Sequence, residues 1–252
     1  MRGTINAFPL VNPIGFETGS RDITLSREDL NRSFPGKPDG SLAERVACRI
    51  FDAIERTEPD LVLDLHNDWQ KSIPYTVLDP KPDQADSPAY RRAKSAAEHS
   101  GFITVLDDEH VKNSFTYSLL NRGVAALTIE LGESYIVNEI NVAYGVGCIL
   151  SILQHLGIID RTGDLRTFAA PPEAKGRLLK YSSETVSTAS GIIRFLTRPG
   201  DVIKQGQPVA RVYNAFGKLQ DTIASPCDAI VLSHCDSSVA FPGVPVVAIA
   251  VL

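Results

Sequence analysis

The chain has 252 residues, 43% hydrophobic and 22% charged, with 25 basic and 30 acidic side chains and a net charge of −5. That length holds one large domain or two modest ones with a real core. The acidic balance leaves no basic footprint, which argues against nucleic acid as the main partner, and no apolar run is long enough to span a membrane.

Met1-Arg2-Gly3-Thr4-Ile5-Asn6 lacks an apolar h-region, so no signal peptide is expected and the expected setting is cytoplasmic. Asp29-Leu30-Asn31-Arg32-Ser33-Phe34-Pro35-Gly36 places an amide beside a guanidinium, and Pro35 and Gly36 predict a loop there. Ser41-Leu42-Ala43-Glu44 reads as a capping box opening a helix to about Arg56. Leu61–Leu65 follows as a buried strand, Pro88 to about Ser100 as a helix, and Phe102–Leu106 as a short strand. A brief helix near Phe115–Arg122 leads to a strand at Val124–Ile129. Val137–Leu156 is a long apolar helix ended by Gly157. Alternating strands and helices predict an α/β domain over residues 1–165, with a mostly parallel or mixed sheet flanked by helices.

Pro171-Pro172 marks a linker over 166–182. Residues 183–252 bring short β-type runs with turn signals at Gly191, Pro199-Gly200-Asp201, Gly206-Gln207, Gly217 and Pro242-Gly243, predicting a small all-β, barrel-sandwich-like domain. Its glycine pattern resembles biotinyl/lipoyl-type carrier domains. The matching tip, Tyr213–Lys218, lacks the carrier pattern, so Lys218 reads as a turn lysine. Cys48, Cys148, Cys227 and Cys235 are scattered without C-x-x-C spacing, the pattern of reduced thiols.

Chemistry concentrates at two strand ends. His66 closes Asp64-Leu65-His66, where ligands gather in open α/β sheets; it suits a metal ligand or a base, and equally a hydrogen-bonded strand end. Glu130 closes Thr128-Ile129-Glu130, where partial desolvation would suit general acid/base work, with a structural salt bridge as the rival reading. An amide next to a planar guanidinium suits Asn31 and Arg32 to holding a carboxylate. Arg21 and Arg122 are further candidates that singly read as surface arginines. His99, His110, His155 and His234 carry no assigned role, and Asp107-Asp108-Glu109 ahead of His110 reads as a solvated loop.

Asn12-Pro-x-Gly-Phe16, Arg21, Asp29-Leu-Asn-Arg-x-Phe-Pro-Gly36, Asp64-Leu-His66 and Ile129-Glu-x-Gly132 occur in this order over nearly the whole chain. The chain thereby resembles the succinylglutamate desuccinylase/aspartoacylase family, relatives of the zinc carboxypeptidases. The resemblance implies a zinc-dependent amidohydrolase of N-acyl amino acids or related small amides. His66 would match a zinc ligand, Glu130 the carboxylate that activates water, and Arg21 the oxyanion-stabilising arginine. Asn31 and Arg32 would match the substrate-carboxylate clamp, and Arg122 a further substrate-binding arginine. The family's first two zinc ligands come from an upstream H-x-x-E, and none of the five histidines here begins one. One Zn2+ is therefore expected only if those ligands are supplied. A shortened family member is expected, with a non-catalytic paralogue that binds carboxylates or a protein partner as the alternative; loss of the first strand–helix–strand should leave a sheet edge or an apolar face uncovered. The expected partner is a small anionic N-acyl amino acid, with homo-oligomerisation open.

Overall fold

A computed structural model describes residues 1–82, 86–107, 112–161 and 163–252. His110, with Asp108 and Glu109, lies outside the described residues.

The helices form where caps and spacing dictate. Asn12 caps α1 (Pro13–Thr18), its Oδ1 accepting from the Gly15 amide. The Asn-Arg segment forms a 3₁₀ turn, Leu30–Arg32, rather than a loop, because Asp29 Oδ1 accepts the Asn31 amide at 2.8 Å. Ser41 opens α2 (Leu42–Glu55) with the predicted capping box: its Oγ accepts from Glu44 N, and Glu44 Oε2 accepts from Ser41 N. Ser41→Ala should cost about 1 kcal/mol, read as a lower denaturant midpoint; an unchanged midpoint would refute the cap's role. α3 (Pro88–Glu98), α4 (Phe115–Asn121) and α5 (Glu139–His155) match the predicted helices to within a few residues.

The sheet is mixed. β1 (Val62–His66) pairs parallel with β5 (Ala126–Glu130). β3 (Tyr75–Leu78) lies antiparallel to β5 and parallel to β4 (Ile103–Leu106). β4 in turn pairs parallel with β6 (Leu178–Val186). The short β2 (Lys71–Ser72) and β3 were not predicted. β6 begins within the predicted linker and carries the sheet onward to β13 (Pro245–Val251) and β11 (Ala229–His234), which also pairs with β2 and β8 (Val202–Ile203). The strand order is β1-β5-β3-β4-β6-β13-β11-β2, so β1 stands at an edge. A second antiparallel sheet runs β10 (Leu219–Ala224), β9 (Pro208–Tyr213), β7 (Gly191–Phe195), β12 (Val239–Ala240).

One core joins the first domain's helices and sheet: Phe34, Phe51, Leu78, Ala93, Phe115, Leu119, Leu127 and Ile152 are buried together. A second lies in the C-terminal β region, where Ile193, Val209 and Val212 meet Val231, Val247 and Ile249. Lys218 lies in the β9–β10 turn, held by Asn214, as its turn reading expects. All four cysteines are free, and Cys148 is the buried one. Among the described residues no helix is long and apolar enough to cross a membrane.

Candidate functional site

Parallel pairing of β1 and β5 ends with His66 opposite Glu130, so the two side chains leave the sheet together at the strands' carboxyl ends. With a two-residue side-chain period, Asp64 shares His66's face, and its Oδ2 lies 2.8 Å from His66 Nε2. Burial alone would lower the His66 pKa; Asp64, by charge and hydrogen bond, and Glu130 outweigh this and lift it to about 9. Burial pushes the Glu130 carboxyl up to about 7, against the lowering influence of His66, and Asp68 and Asp64 add to the rise. Glu130 Oε2 is shut from solvent and has no hydrogen-bond partner among the described residues. Such an orphaned acceptor is costly unless a ligand or reacting proton meets it.

Around this pair lies a polar support. Tyr75 stands opposite Glu130 on β3, fully buried, and its hydroxyl donates to Asp68 Oδ2 at 2.9 Å. Ser72 Oγ donates to the same oxygen. These residues had no place in the sequence reading because their proximity comes from strand register.

The early motifs present Arg21 and the Asn-Arg turn. Asn12 Nδ2 donates to the Arg21 carbonyl at 3.1 Å. A Cβ at Gly15 would lie 2.3 Å from that Nδ2 and 2.5 Å from the Ser20 carbonyl, so the motif admits only glycine there. Arg21 Nε donates to Asp29 Oδ2 at 2.9 Å, and the charge of Arg21 acts on both His66 and Glu130. Asn31 Oδ1 accepts from the Phe115 amide at the start of α4, which leaves Nδ2 as the donor of that side chain. Phe34 anchors the motif against Phe115 and Phe51, with ring centroids 4.8 and 6.4 Å away. Gly36 closes it: at φ 85° a Cβ would strike Cys48 N and Glu44 O of α2.

Arg32 is exposed, donates to the Asn31 carbonyl, and acts by charge on Asp79 just beyond β3. Asp79 is 3% exposed, its Oδ2 lacks a partner among the described residues, and burial raises its pKa to about 7. The structure thus brings His66, Glu130 and Arg21 together and sets the Asn31–Arg32 turn beside α4. It does not bring Arg122 to them: Arg122 is exposed at the end of α4, ahead of β5, whereas Glu130 closes β5.

A catalytic zinc site takes three protein ligands. Among the described residues no group of three or more His, Cys, Asp or Glu side chains could hold a metal ion. Here one imidazole is present and its Nε2 is engaged by Asp64. The described residues therefore do not by themselves fit a zinc ion.

The mixed sheet flanked by helices, with acid and imidazole at paired strand ends, defines the class of fold. Residues 1–156 match the succinylglutamate desuccinylase/aspartoacylase catalytic domain, and the chain belongs to that family. An N-alpha-acetyl-L-2,4-diaminobutyric acid deacetylase from Halomonas elongata is 28% identical over 221 residues, 85% of this chain. The chain spans 62% of that relative's length. A succinylglutamate desuccinylase/aspartoacylase from Rhodobacter sphaeroides shares the fold at TM-score 0.77 and 22% identity, covering 96% of this chain and 73% of that one. The product-bound ectoine utilization protein EutE of Ruegeria pomeroyi does so at TM-score 0.78 and 21% identity, covering 97% and 74%.

Proposed function

We propose that this chain is an amide hydrolase of the deacylase type, acting on N-acylated amino acids or related small anionic amides. The observation that carries the reading is Glu130: a buried carboxylate with an orphaned oxygen and a pKa near 7, beside an imidazole and within reach of an arginine's field. In this role Glu130 takes the proton of the attacking water and returns it to the leaving amine. Arg21 faces the developing oxyanion, an interaction worth on the order of 3 kcal/mol. Asn31 Nδ2 and the Arg32 guanidinium hold the substrate carboxylate. His66 supplies one metal-binding imidazole. Arg122 would engage only a substrate long enough to reach the other end of β5.

The test is a chimera that joins to this chain an upstream segment carrying the H-x-x-E that the family resemblance implies. It is expected to bind zinc and to release acetate from N-acetyl amino acids. A chimera that binds no zinc and cleaves no N-acetyl amino acid would end the deacylase reading. The lack of a three-donor group among the described residues favours a second reading, a non-catalytic carboxylate-binding protein. Calorimetric binding of N-acetyl amino acids by the chain, with no turnover by the chimera, would support it.

A further inference from the structure

A cavity of about 540 Å³ opens where α3 ends and β4 begins, closed on its other side by residues 167–178, which run into β6. That volume lies within the range of roughly 300–1,000 Å³ typical of small-molecule sites, which join an apolar lining to a few polar groups. Its strands, β4 and β6, stand three and four places in from β1. Ile103 in its lining pairs with Tyr75, itself opposite Glu130, so the cavity lies two strands, roughly 10 Å, from Glu130. It shares no lining residue with His66, Glu130, Arg21 or the Asn31–Arg32 turn.

Its floor is apolar. Phe102 and Ala174 are buried, and Phe168 is half-buried with its ring edge-on to Tyr144. The charged lining is one-sided: Lys94, Lys175 and Arg177 stand against Glu98 alone. Glu98 is partnered by Lys94, 3.9 Å away and one turn along α3. Lys175 and Arg177 make no ion pair among the described residues; the Arg177 guanidinium donates to the Glu173 carbonyl at 3.3 Å and keeps its other N–H groups. The backbone N–H groups of Phe168 and Ala169, two further lining residues, find no acceptor among the described residues. Donors and cations without acceptors, set around aromatic rings, call for an anion with an apolar body.

We propose that this cavity is a second ligand site, taking a small carboxylate with an aromatic or branched-alkyl body. The carboxylate lies between Lys175 and Arg177, whose planar fork matches its two oxygens. The apolar body rests on Phe102 and Phe168. A neutral ligand would leave both cations unpaired, and a bare inorganic anion would leave the apolar floor wet. The site stands apart from the chemistry of Glu130, so it holds whether or not the chain hydrolyses amides.

Calorimetry on the full chain with phenylbutyrate tests this, with phenylbutanol and butyrate as controls lacking the charge and the ring. Phenylbutyrate is expected to bind saturably, at least about tenfold more tightly than either control. It should slow amide exchange at residues 101–104 and 167–178. Lys175→Glu combined with Arg177→Glu, both at exposed positions, is expected to weaken binding at least about tenfold with an unchanged circular dichroism spectrum. Thr167→Trp, which fills the cavity from an exposed position, should block it as well. Arg32→Ala should leave it unaltered, since that clamp lies elsewhere. Absence of saturable binding would overturn the proposal, as would equal binding of either control. Binding indifferent to the cavity substitutions, or lost in Arg32→Ala, would overturn it equally.

Discussion

Glu130→Gln in the zinc-binding chimera is expected to lower the deacylation kcat by about 10²- to 10⁴-fold, the usual scale for losing a positioned acid/base group. The amide nearly preserves the shape of the carboxyl, so the Tyr75–Asp68 support and the strand pairing stay in place. It cannot accept the water's proton. The substrate carboxylate sits on Asn31 and Arg32 in this scheme, so KM should move little while kcat collapses. The same variant should also lose the acid limb of the kcat–pH profile that a base with a pKa near 7 produces in the parent. Undiminished kcat would remove Glu130 from the chemistry and leave its orphaned oxygen without a catalytic explanation. Loss of kcat together with a large fall in melting temperature would instead mark it as structural.

The parts of this molecule legible in its sequence are those set by near neighbours. Ser41 and Glu44 announce α2 because a capping box needs only residues three apart. Leu61–Leu65 and Val124–Ile129 read as strands because each is a compact apolar run. The motif residues could be named but not arranged. Asn31's side-chain oxygen proves to be spent on the Phe115 amide, a contact 84 residues away in sequence, which no local pattern reports. β3 escaped because Pro74 interrupts a short run. With it went Tyr75 and Asp79, whose surroundings depend on antiparallel register with β5. Arg122 shows the opposite case: eight residues from Glu130 is close along the chain, yet an intervening extended strand carries the two to opposite ends.

Asp79→Asn should make the protein more stable at alkaline pH and not at acid pH. Asp79 is buried beyond the end of β3, and burial is the main cause of a pKa raised from 3.8 to about 7. The Thr116 hydroxyl donates to it and Arg32 lowers its pKa, while Asp107 and Asp64 raise it further. Between pH 3.8 and 7 the folded state therefore binds more protons at this site than the unfolded state. The sign follows: stability contributed by this site falls as pH rises through that window, and the loss is complete above 7. Asparagine has no charge to bury, so the variant escapes the loss. The full shift bounds the effect at about 4 kcal/mol, and relaxation around the carboxylate brings the expected gain to about 2–4 kcal/mol. Near pH 3, where the native carboxyl is protonated, the variant should be no more stable than the parent, because its amide must also find partners in a site where Asp79 Oδ2 has none. Urea unfolding of both proteins from pH 3 to 9 gives the two curves directly. Parallel curves would show that Asp79 titrates alike in the folded and unfolded protein and that its burial imposes no such cost.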